Sequence, residues 1–335
     1  MTRYERPRSR ASLLPEHLRE FDQSTHHLAL LPARFISSLS LYYAQTTKES
    51  IRACGLRLSA RSAGLRIGDS QTNANVATKA GKMNKKTILI PLPSYGCDPT
   101  EVAIPWKLLA EHGIDVVFAT PDGNPAVPDQ KMLNGQNLGV FKALLQTRKD
   151  AVEAFGQMKS NPAFEAPKKY SELNCGDYDG LLLPGGHDKG VKEYLESKAL
   201  QNLVVEFFGA EKPVAAICHG VVLAARSIDP ATGKSAIHGY KTTSLLKSQE
   251  MAAYQLTRLW LKDYYLTYPG LTVQDEVTAA LADKANFIEG PTPVLRDDLK
   301  HLYRGFTVKD QNYVSARWPG DAYSFGLEFI KMLNA

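Results

Sequence analysis

A cysteine stands where a buried strand is expected to turn sharply into a helix. Cys218 lies in Lys212-Pro-Val-Ala-Ala-Ile-Cys-His-Gly-Val-Val-Leu-Ala-Ala-Arg226, after a short apolar run and before a helix-compatible one. Such a turn strains the backbone of its central residue and exposes that side chain above the sheet edge. The N-terminus of the next helix favours a thiolate, which is the nucleophilic form. The motif predicts nucleophilic catalysis by Cys218; the alternative is a small buried hydrophobic residue.

A second strand end carries a pair of glycines. In Asp177-Tyr-Asp-Gly-Leu-Leu-Leu-Pro-Gly-Gly-His-Asp-Lys-Gly190, a leucine run precedes Gly185 and Gly186. Glycines at the carboxyl end of a strand let backbone amides approach a ligand closely, as oxyanion stabilisation requires. Two such strand ends predict a site at the carboxyl edge of a parallel sheet.

Two further motifs complete a resemblance to a known family. Thr87-Ile-Leu-Ile-Pro-Leu-Pro-Ser-Tyr-Gly-Cys-Asp-Pro-Thr-Glu-Val-Ala-Ile-Pro105 predicts a strand, a loop and a helix with Glu101 near its start, and Val314-Ser-Ala-Arg-Trp-Pro-Gly320 precedes the last helix. In this order, from about Lys85 to the C-terminus, the four motifs resemble the ThiJ/PfpI superfamily, which has the class I glutamine amidotransferase-like fold. Its members include the Parkinson-associated deglycase, intracellular peptidase-like proteins and heat-shock glyoxalase III proteins. The Cys-His pair is most similar to the glyoxalase III members.

The resemblance implies a role for each site residue. Cys218 is the nucleophile, Glu101 hydrogen-bonds its sulfur and exchanges protons with a bound aldehyde, and His219 is the general base. The structural alternatives are a helix-start carboxylate for Glu101 and a helix N-terminal histidine without a catalytic task for His219. The backbone amides of Gly186 and His219 are the implied oxyanion donors. The oxyanion and substrate-binding residues are expected to be Gly185, Gly186, His187 and Gly220.

The resemblance also implies a carboxylate that orients the histidine, about thirty residues after the cysteine. Glu250 has that spacing, and its substitution is expected to reduce activity less than Cys218→Ala. His238 and Asp321 are the alternatives. Ser244 stands where deglycase-like members have a histidine after a Thr-Thr pair, so that arrangement is absent.

The activity that the resemblance implies is conversion of methylglyoxal to D-lactate through a hemithioacetal on Cys218, without glutathione, metal or another cofactor. One alternative is a Cys-His amidase or peptidase-like hydrolase that forms an acyl-enzyme. Another is a stress-response holdase chaperone, or a redox sensor whose cysteine is oxidised to a sulfinate. The expected partner is a small aldehyde or amide substrate, with no nucleic acid and no membrane. A homodimer stays open, because dimers are common in the family.

Basic residues are concentrated in the first 82 residues. This segment holds 13 lysines and arginines against 6 acidic residues, whereas the other 253 residues hold 27 against 29. The charge therefore does not indicate nucleic-acid binding by the folded part. We predict a disordered basic extension over 1–82; the alternatives are a mitochondrial transit peptide and an extended gene model with translation starting at Met83. Four cysteines without paired spacing indicate a reducing compartment, so the predicted location is cytoplasmic, or mitochondrial if the transit peptide is genuine.

The remaining domain, 83–335, is predicted to be α/β, a flavodoxin-like three-layer sandwich with a mostly parallel central sheet. Its start has a βαβ pattern, and the leucine run fits a strand that is buried on both faces. A helical insertion over about 247–293, rich in aromatic residues, either caps the site or pairs subunits, and packing is the ordinary role of such residues. Further predicted elements include one helix over Phe141–Met158, a short strand over Tyr240–Ser244 and a hairpin over Phe306–Arg317.

Overall fold

The computed structural model describes residues 85–335, so the predictions about residues 1–82 lie outside the described part of the chain. The strands are β1 (Thr87–Pro91), β2 (Tyr95–Cys97), β3 (Asp115–Thr120), β4 (Val127–Pro128), β5 (Lys168–Lys169), β6 (Gly180–Leu183), β7 (Val214–Ile217), β8 (Thr307–Asp310) and β9 (Tyr313–Ala316). The helices are α1 (Pro99–Glu111), α2 (Gln130–Asn134), α3 (Lys142–Leu145), α4 (Lys149–Lys159), α5 (Pro162–Glu165), α6 (Lys192–Leu195), α7 (Lys198–Gly209), α8 (Gly220–Arg226), α9 (Lys247–Leu261), α10 (Val273–Ala280) and α11 (Ala322–Leu333).

A seven-stranded sheet forms the middle layer, in the order β5-β3-β1-β6-β7-β9-β8. Its neighbouring strands are parallel except β8 and β9, which form the predicted antiparallel hairpin. Helices cover both faces. One apolar cluster lies between the sheet and α1, α4 and α11, and a second lies between the sheet and α7, α8 and α10. This arrangement confirms the α/β flavodoxin-like sandwich.

The strand β6 shows why the sheet is buried on both faces. Leu182 packs in the first cluster, whereas Leu181 and Leu183 pack in the second, and all three are inaccessible to solvent. Successive side chains of a strand point to opposite faces, so a strand that is covered on both sides needs an unbroken apolar run. The leucine run thus places the end of β6, and the glycines after it, in the centre of the sheet edge.

Helix α1 begins where the sequence predicts. The Asp98 carboxylate accepts hydrogen bonds from the N–H groups of Thr100 at 2.8 Å and Glu101 at 3.1 Å, and Pro99 occupies the first helical position. Asp is a preferred N-cap, and proline at the first position lacks an N–H that would otherwise need a partner. The cap fixes Glu101 in the first turn.

Two predicted elements differ from the structure. The helix predicted over Phe141–Met158 is interrupted between α3 and α4, where the N–H of Thr147 donates to the carbonyl of Met132 at 3.0 Å. The strand predicted over Tyr240–Ser244 is reduced to one bridge, between Thr242 and Phe287. Side chains of the β8–β9 hairpin bond this segment instead: the Ser315 hydroxyl, for example, accepts from the Thr243 N–H at 2.9 Å.

The predicted insertion contains α9, a segment without regular structure over 262–272, and α10. Its far end is fixed by the buried Arg317, which donates to the carbonyl of Pro291 at 2.5 Å and forms a two-bond ion pair with Asp321. Within residues 85–335, no helix combines the length and hydropathy needed to cross a bilayer.

Candidate active site

Cys218 occupies the turn between β7 and α8. Its φ is +56°, the left-handed region that non-glycine residues rarely adopt, and this agrees with the strained conformation predicted. Gly220, the first residue of α8, must be glycine, because a Cβ there would lie 2.1 Å from the carbonyl oxygen of Leu183. The close approach of α8 to β6 therefore fixes the cysteine at the junction of the two strand ends. Its side chain is nearly buried, with 6% of its surface exposed.

Helix α1 brings the Glu101 carboxyl group to the same junction. Its Oε2 accepts a hydrogen bond from the N–H of Gly185 at 3.0 Å, and its Oε1 is buried without a hydrogen-bond partner among the described residues. The carboxyl lies close enough to Cys218 for each group to shift the pKa of the other. The group is fully buried. Burial, together with the nearby Asp98 carboxyl, raises the pKa of Glu101 well above its usual range. The raised pKa favours the protonated form of Glu101, which can donate its proton towards the sulfur.

The thiol of Cys218 is protonated as well. Burial raises its pKa well above the ordinary value, and the N–H of His219, which lies against the sulfur, only partly offsets this effect. The prediction that the helix N-terminus biases Cys218 towards thiolate is therefore wrong for this site. The desolvation of the charged form outweighs the helix dipole. A base must remove the proton as the sulfur reacts.

His219 lies in position to be that base. Its Nδ1 lies 3.4 Å from the Cys218 sulfur, within the range of a hydrogen bond to sulfur. Burial and the nearby His187 and Arg226 lower the pKa of His219 to about 3, so the imidazole is neutral. The other ring nitrogen, Nε2, lies 3.0 Å from the hydroxyl oxygen of Thr267. The three predicted residues Cys218, His219 and Glu101 are thus brought together.

The predicted orienting carboxylate is elsewhere. Glu250 is buried in α9, and its Oε2 accepts a hydrogen bond from the N–H of Val273, the first residue of α10, at 2.9 Å. Burial raises its pKa to about 7. Glu250 therefore ties α9 to α10 and does not orient His219, whose Nε2 bonds to Thr267. No sequence pattern marks Thr267, because it lies in a segment without periodicity, 48 residues after the histidine.

The alternative partners do not contact His219 either. His238 places its Nδ1 3.2 Å from the carbonyl oxygen of Ala280, and Asp321 is held by Arg317. The Ser244 hydroxyl points to the carbonyl of Leu245.

The predicted oxyanion residues lie at the carboxyl edge of the sheet, but their N–H groups have different partners. The N–H of Gly185 is used by Glu101, whereas the N–H of Gly186 donates to no other backbone group among the described residues. A Cβ on Gly186 would lie 2.4 Å from the carbonyl oxygen of Gly96, so this position must be glycine. The other predicted donor, the N–H of His219, lowers the pKa of Cys218 and so lies near its sulfur.

The insertion covers this edge of the sheet. The His187 ring stacks on Tyr265, with 4.5 Å between ring centroids, and meets Tyr264 edge-on at 4.7 Å. The Tyr264 hydroxyl donates to the Asp129 carboxylate at 2.5 Å. These aromatic residues thus pack over the glycine loop and close it from solvent. A groove of about 820 Å³ has Asp188, Trp260 and Tyr264 in its lining, and neither Cys218 nor His219 lines it.

The described residues contain no cluster of three or more His, Cys, Asp or Glu side chains that could hold a metal ion. Cys97, Cys175 and Cys218 are all buried free thiols. The site thus holds a thiol with a neutral imidazole and a carboxyl of raised pKa beside it.

Comparison with known proteins identifies the family to which the chain is similar. A family model described as ThiJ/PfpI family-like matches residues 92–291. An uncharacterized protein of Schizosaccharomyces pombe is 30% identical over 138 residues, 39% of this chain and 50% of that protein. Glyoxalase 3 of Candida albicans is 28% identical over 173 residues, 47% of this chain and 67% of that protein. The chain thus spans about half the length of the first relative and two thirds of the second.

A solved structure agrees with the fold. The crystal structure of glyoxalase III from Candida albicans superposes with a TM-score of 0.54 and 22% identity, covering 74% of this chain and 97% of that one. At this identity the likeness supports the architecture alone.

Proposed function

This chain belongs to the ThiJ/PfpI-like family, and on that premise we propose that it is a glyoxalase III-type enzyme, which converts methylglyoxal and water to D-lactate without glutathione. The observation that carries the proposal is the placement of two buried groups around the buried thiol of Cys218: the neutral ring of His219, 3.4 Å from the sulfur, and the carboxyl of Glu101. The glyoxalase 3 relative supports the same reaction.

The reaction begins with addition of sulfur to the aldehyde carbon. A carbon–sulfur bond forms, the thiol proton passes to Nδ1 of His219, and the carbonyl oxygen takes a proton to give a hemithioacetal. The N–H of Gly186, which donates to no backbone group within residues 85–335, stabilises the developing oxyanion. Attack on a carbonyl by an activated thiol needs this combination of base and donor.

Proton transfer between the two substrate carbons follows. A proton leaves the former aldehyde carbon and another is added to the ketone carbon, so the first carbon is oxidised and the second is reduced without an external oxidant. Glu101, neutral and buried beside the sulfur, can give and accept protons on one side, and His219 can do so on the other. The product is a lactyl thioester on Cys218. Water then displaces the sulfur, which releases lactate and restores the thiol.

The burial of the site favours a small substrate. Only 6% of the Cys218 surface is exposed, and Tyr264 and Tyr265 cover the adjacent glycine loop. A three-carbon dicarbonyl requires little space, whereas a peptide needs an open groove that reaches the nucleophile. Cys218 does not line the groove of about 820 Å³, so the groove does not provide that access.

The full-length protein should form D-lactate from methylglyoxal in the absence of glutathione, and Cys218→Ala should abolish this activity. Cys175→Ala is a matched control, since Cys175 is a buried free thiol that packs with the second apolar cluster, among residues of α7. It should retain wild-type turnover. A folded wild-type protein that forms no D-lactate would refute the proposal and direct attention to amide substrates.

A further inference from the structure

Thr267 links the catalytic histidine to the glycine loop. Its hydroxyl oxygen lies 3.0 Å from Nε2 of His219 and 2.7 Å from the carbonyl oxygen of His187. The side chain is almost completely buried, with 1% of its surface exposed, so water does not compete for these bonds. The segment that carries it lies between α9 and α10, and its neighbours Tyr264 and Tyr265 pack on the His187 ring.

The direction of these two bonds follows from the chemistry of the groups. A hydroxyl has one hydrogen to donate, and a carbonyl oxygen can only accept. The Thr267 hydrogen therefore points to the carbonyl of His187, and its oxygen must accept from Nε2–H of His219. A neutral imidazole carries a proton on one nitrogen only, so Nδ1 has a free lone pair. That lone pair faces the Cys218 sulfur at 3.4 Å.

We infer that Thr267 is a positioning residue, which fixes His219 in the tautomer with its proton on Nε2 and so keeps Nδ1 ready to accept the proton of Cys218. This inference deepens the proposed function and rests on it for its kinetic consequence. The chain of hydrogen bonds runs from the Cys218 thiol through His219 and Thr267 to the backbone of the glycine loop. Thr267 thus takes the orienting role that a carboxylate has in a Ser-His-Asp arrangement.

A hydroxyl in this position differs from a carboxylate in charge. A carboxylate would stabilise the imidazolium that forms when the thiol loses its proton, whereas Thr267 is neutral and orients the ring only. His219 is therefore suited to accept a proton briefly and return it. This property fits the transfer of a proton between two carbons of one substrate.

The tautomer can be observed directly by ¹⁵N NMR of full-length protein labelled at histidine, with His219 assigned through the His219→Asn variant. In the wild type, Nε2 of His219 should carry the proton and Nδ1 should have the shift of an unprotonated ring nitrogen. This measurement needs no turnover, so it separates failure of the inference from failure of the proposed function. A wild-type spectrum with the proton on Nδ1 would overturn the inference.

Two variants test the kinetic role. Thr267→Val removes the acceptor and should lower kcat about tenfold with KM unchanged, the effect of one neutral hydrogen bond, and should mix the two tautomers. Thr267→Ser keeps the hydroxyl and should stay within about twofold of wild type. Thr257→Val is the matched control, because Thr257 is equally buried but donates to Ala253 within α9. Thr267→Val with wild-type kcat and an unmixed tautomer would contradict the inference.

Discussion

The protonation of Glu101 can be tested by replacing its carboxyl with an amide of nearly the same shape. In Glu101→Gln, the side-chain oxygen can still accept the N–H of Gly185, and the amide nitrogen can donate to the sulfur of Cys218. If the carboxyl is neutral in the native protein, as its raised pKa indicates, a neutral group replaces a neutral group. In the unfolded chain the same carboxyl is ionised at pH 7, so folding must protonate it, and the amide removes that cost. The free energy of unfolding at pH 7 should then rise by about 3 kcal/mol, and this gain should vanish below about pH 4.5. Turnover should fall by roughly 10²- to 10⁴-fold, because an amide cannot give and take protons in the reaction.

The assay combines three measurements on one preparation. Urea denaturation at pH 7 gives the stability, D-lactate formation gives the turnover, and mass spectrometry of iodoacetamide-treated protein shows whether Cys218 still reacts. Glu111→Gln is the matched control at the exposed end of α1 and should leave all three unchanged. A free energy of unfolding that does not rise in Glu101→Gln at pH 7 would show that the native carboxyl is charged there and would refute this reasoning. Unchanged turnover would remove Glu101 from the proton transfers.

Two further predictions concern stability. Glu250→Gln should leave turnover unchanged and raise the free energy of unfolding above pH 7 by about 3 kcal/mol, since the folded pKa is about 7 against an ordinary 4.5. In the wild type, the free energy of unfolding falls as pH rises from 4.5 to 7, because Glu250 is protonated more readily in the folded state. Urea titrations should therefore show that the stabilisation by Glu250→Gln vanishes below pH 4.5. A loss of turnover in Glu250→Gln would instead indicate that Glu250 belongs to the active site. Gly220→Ala should destabilise the protein by about 3 kcal/mol in thermal denaturation, because its Cβ would meet the Leu183 carbonyl. Gly209→Ala, which has open space at the end of α7, should instead stabilise it by about 0.5 kcal/mol, and equal effects of the two would be inconsistent with the packing.

The layers of the fold could be predicted because local patterns determine them. The leucine run of β6 and the start of the helix that carries Glu101 each depend on a few neighbouring residues, and the structure confirms both. The helix over Phe141–Met158 was wrong because a long-range bond, from Thr147 to Met132, competes with the helical pattern there. The strand over Tyr240–Ser244 was wrong for the same reason, since hairpin side chains occupy its N–H groups.

The site could be predicted only as far as its motifs reach. Cys218, His219 and Glu101 meet because each sits at the end of an element that the sequence specifies. The partner that orients His219 could not be predicted in this way, because Thr267 lies in a segment without regular structure. Spacing favoured Glu250, but α9 directs that carboxylate towards α10, and the returning segment brings Thr267 to the histidine. A fixed spacing along the chain cannot predict where an insertion folds back.

The helix cap and the glycine loop together explain how a carboxyl can remain neutral beside a thiol. Glu101 is the third residue of α1, a position where glutamate often reaches back to the backbone N–H of the cap residue. Here the N–H of Asp98 donates instead to the carbonyl of Gly185, at 3.0 Å, and the N–H of Gly185 donates to Glu101. This reciprocal pair turns the carboxyl away from the helix end and towards Cys218. Burial raises the pKa of Glu101, and the buried Asp98 carboxyl beside it raises this pKa further. Both effects favour the protonated form, which can donate to Cys218 during the reaction.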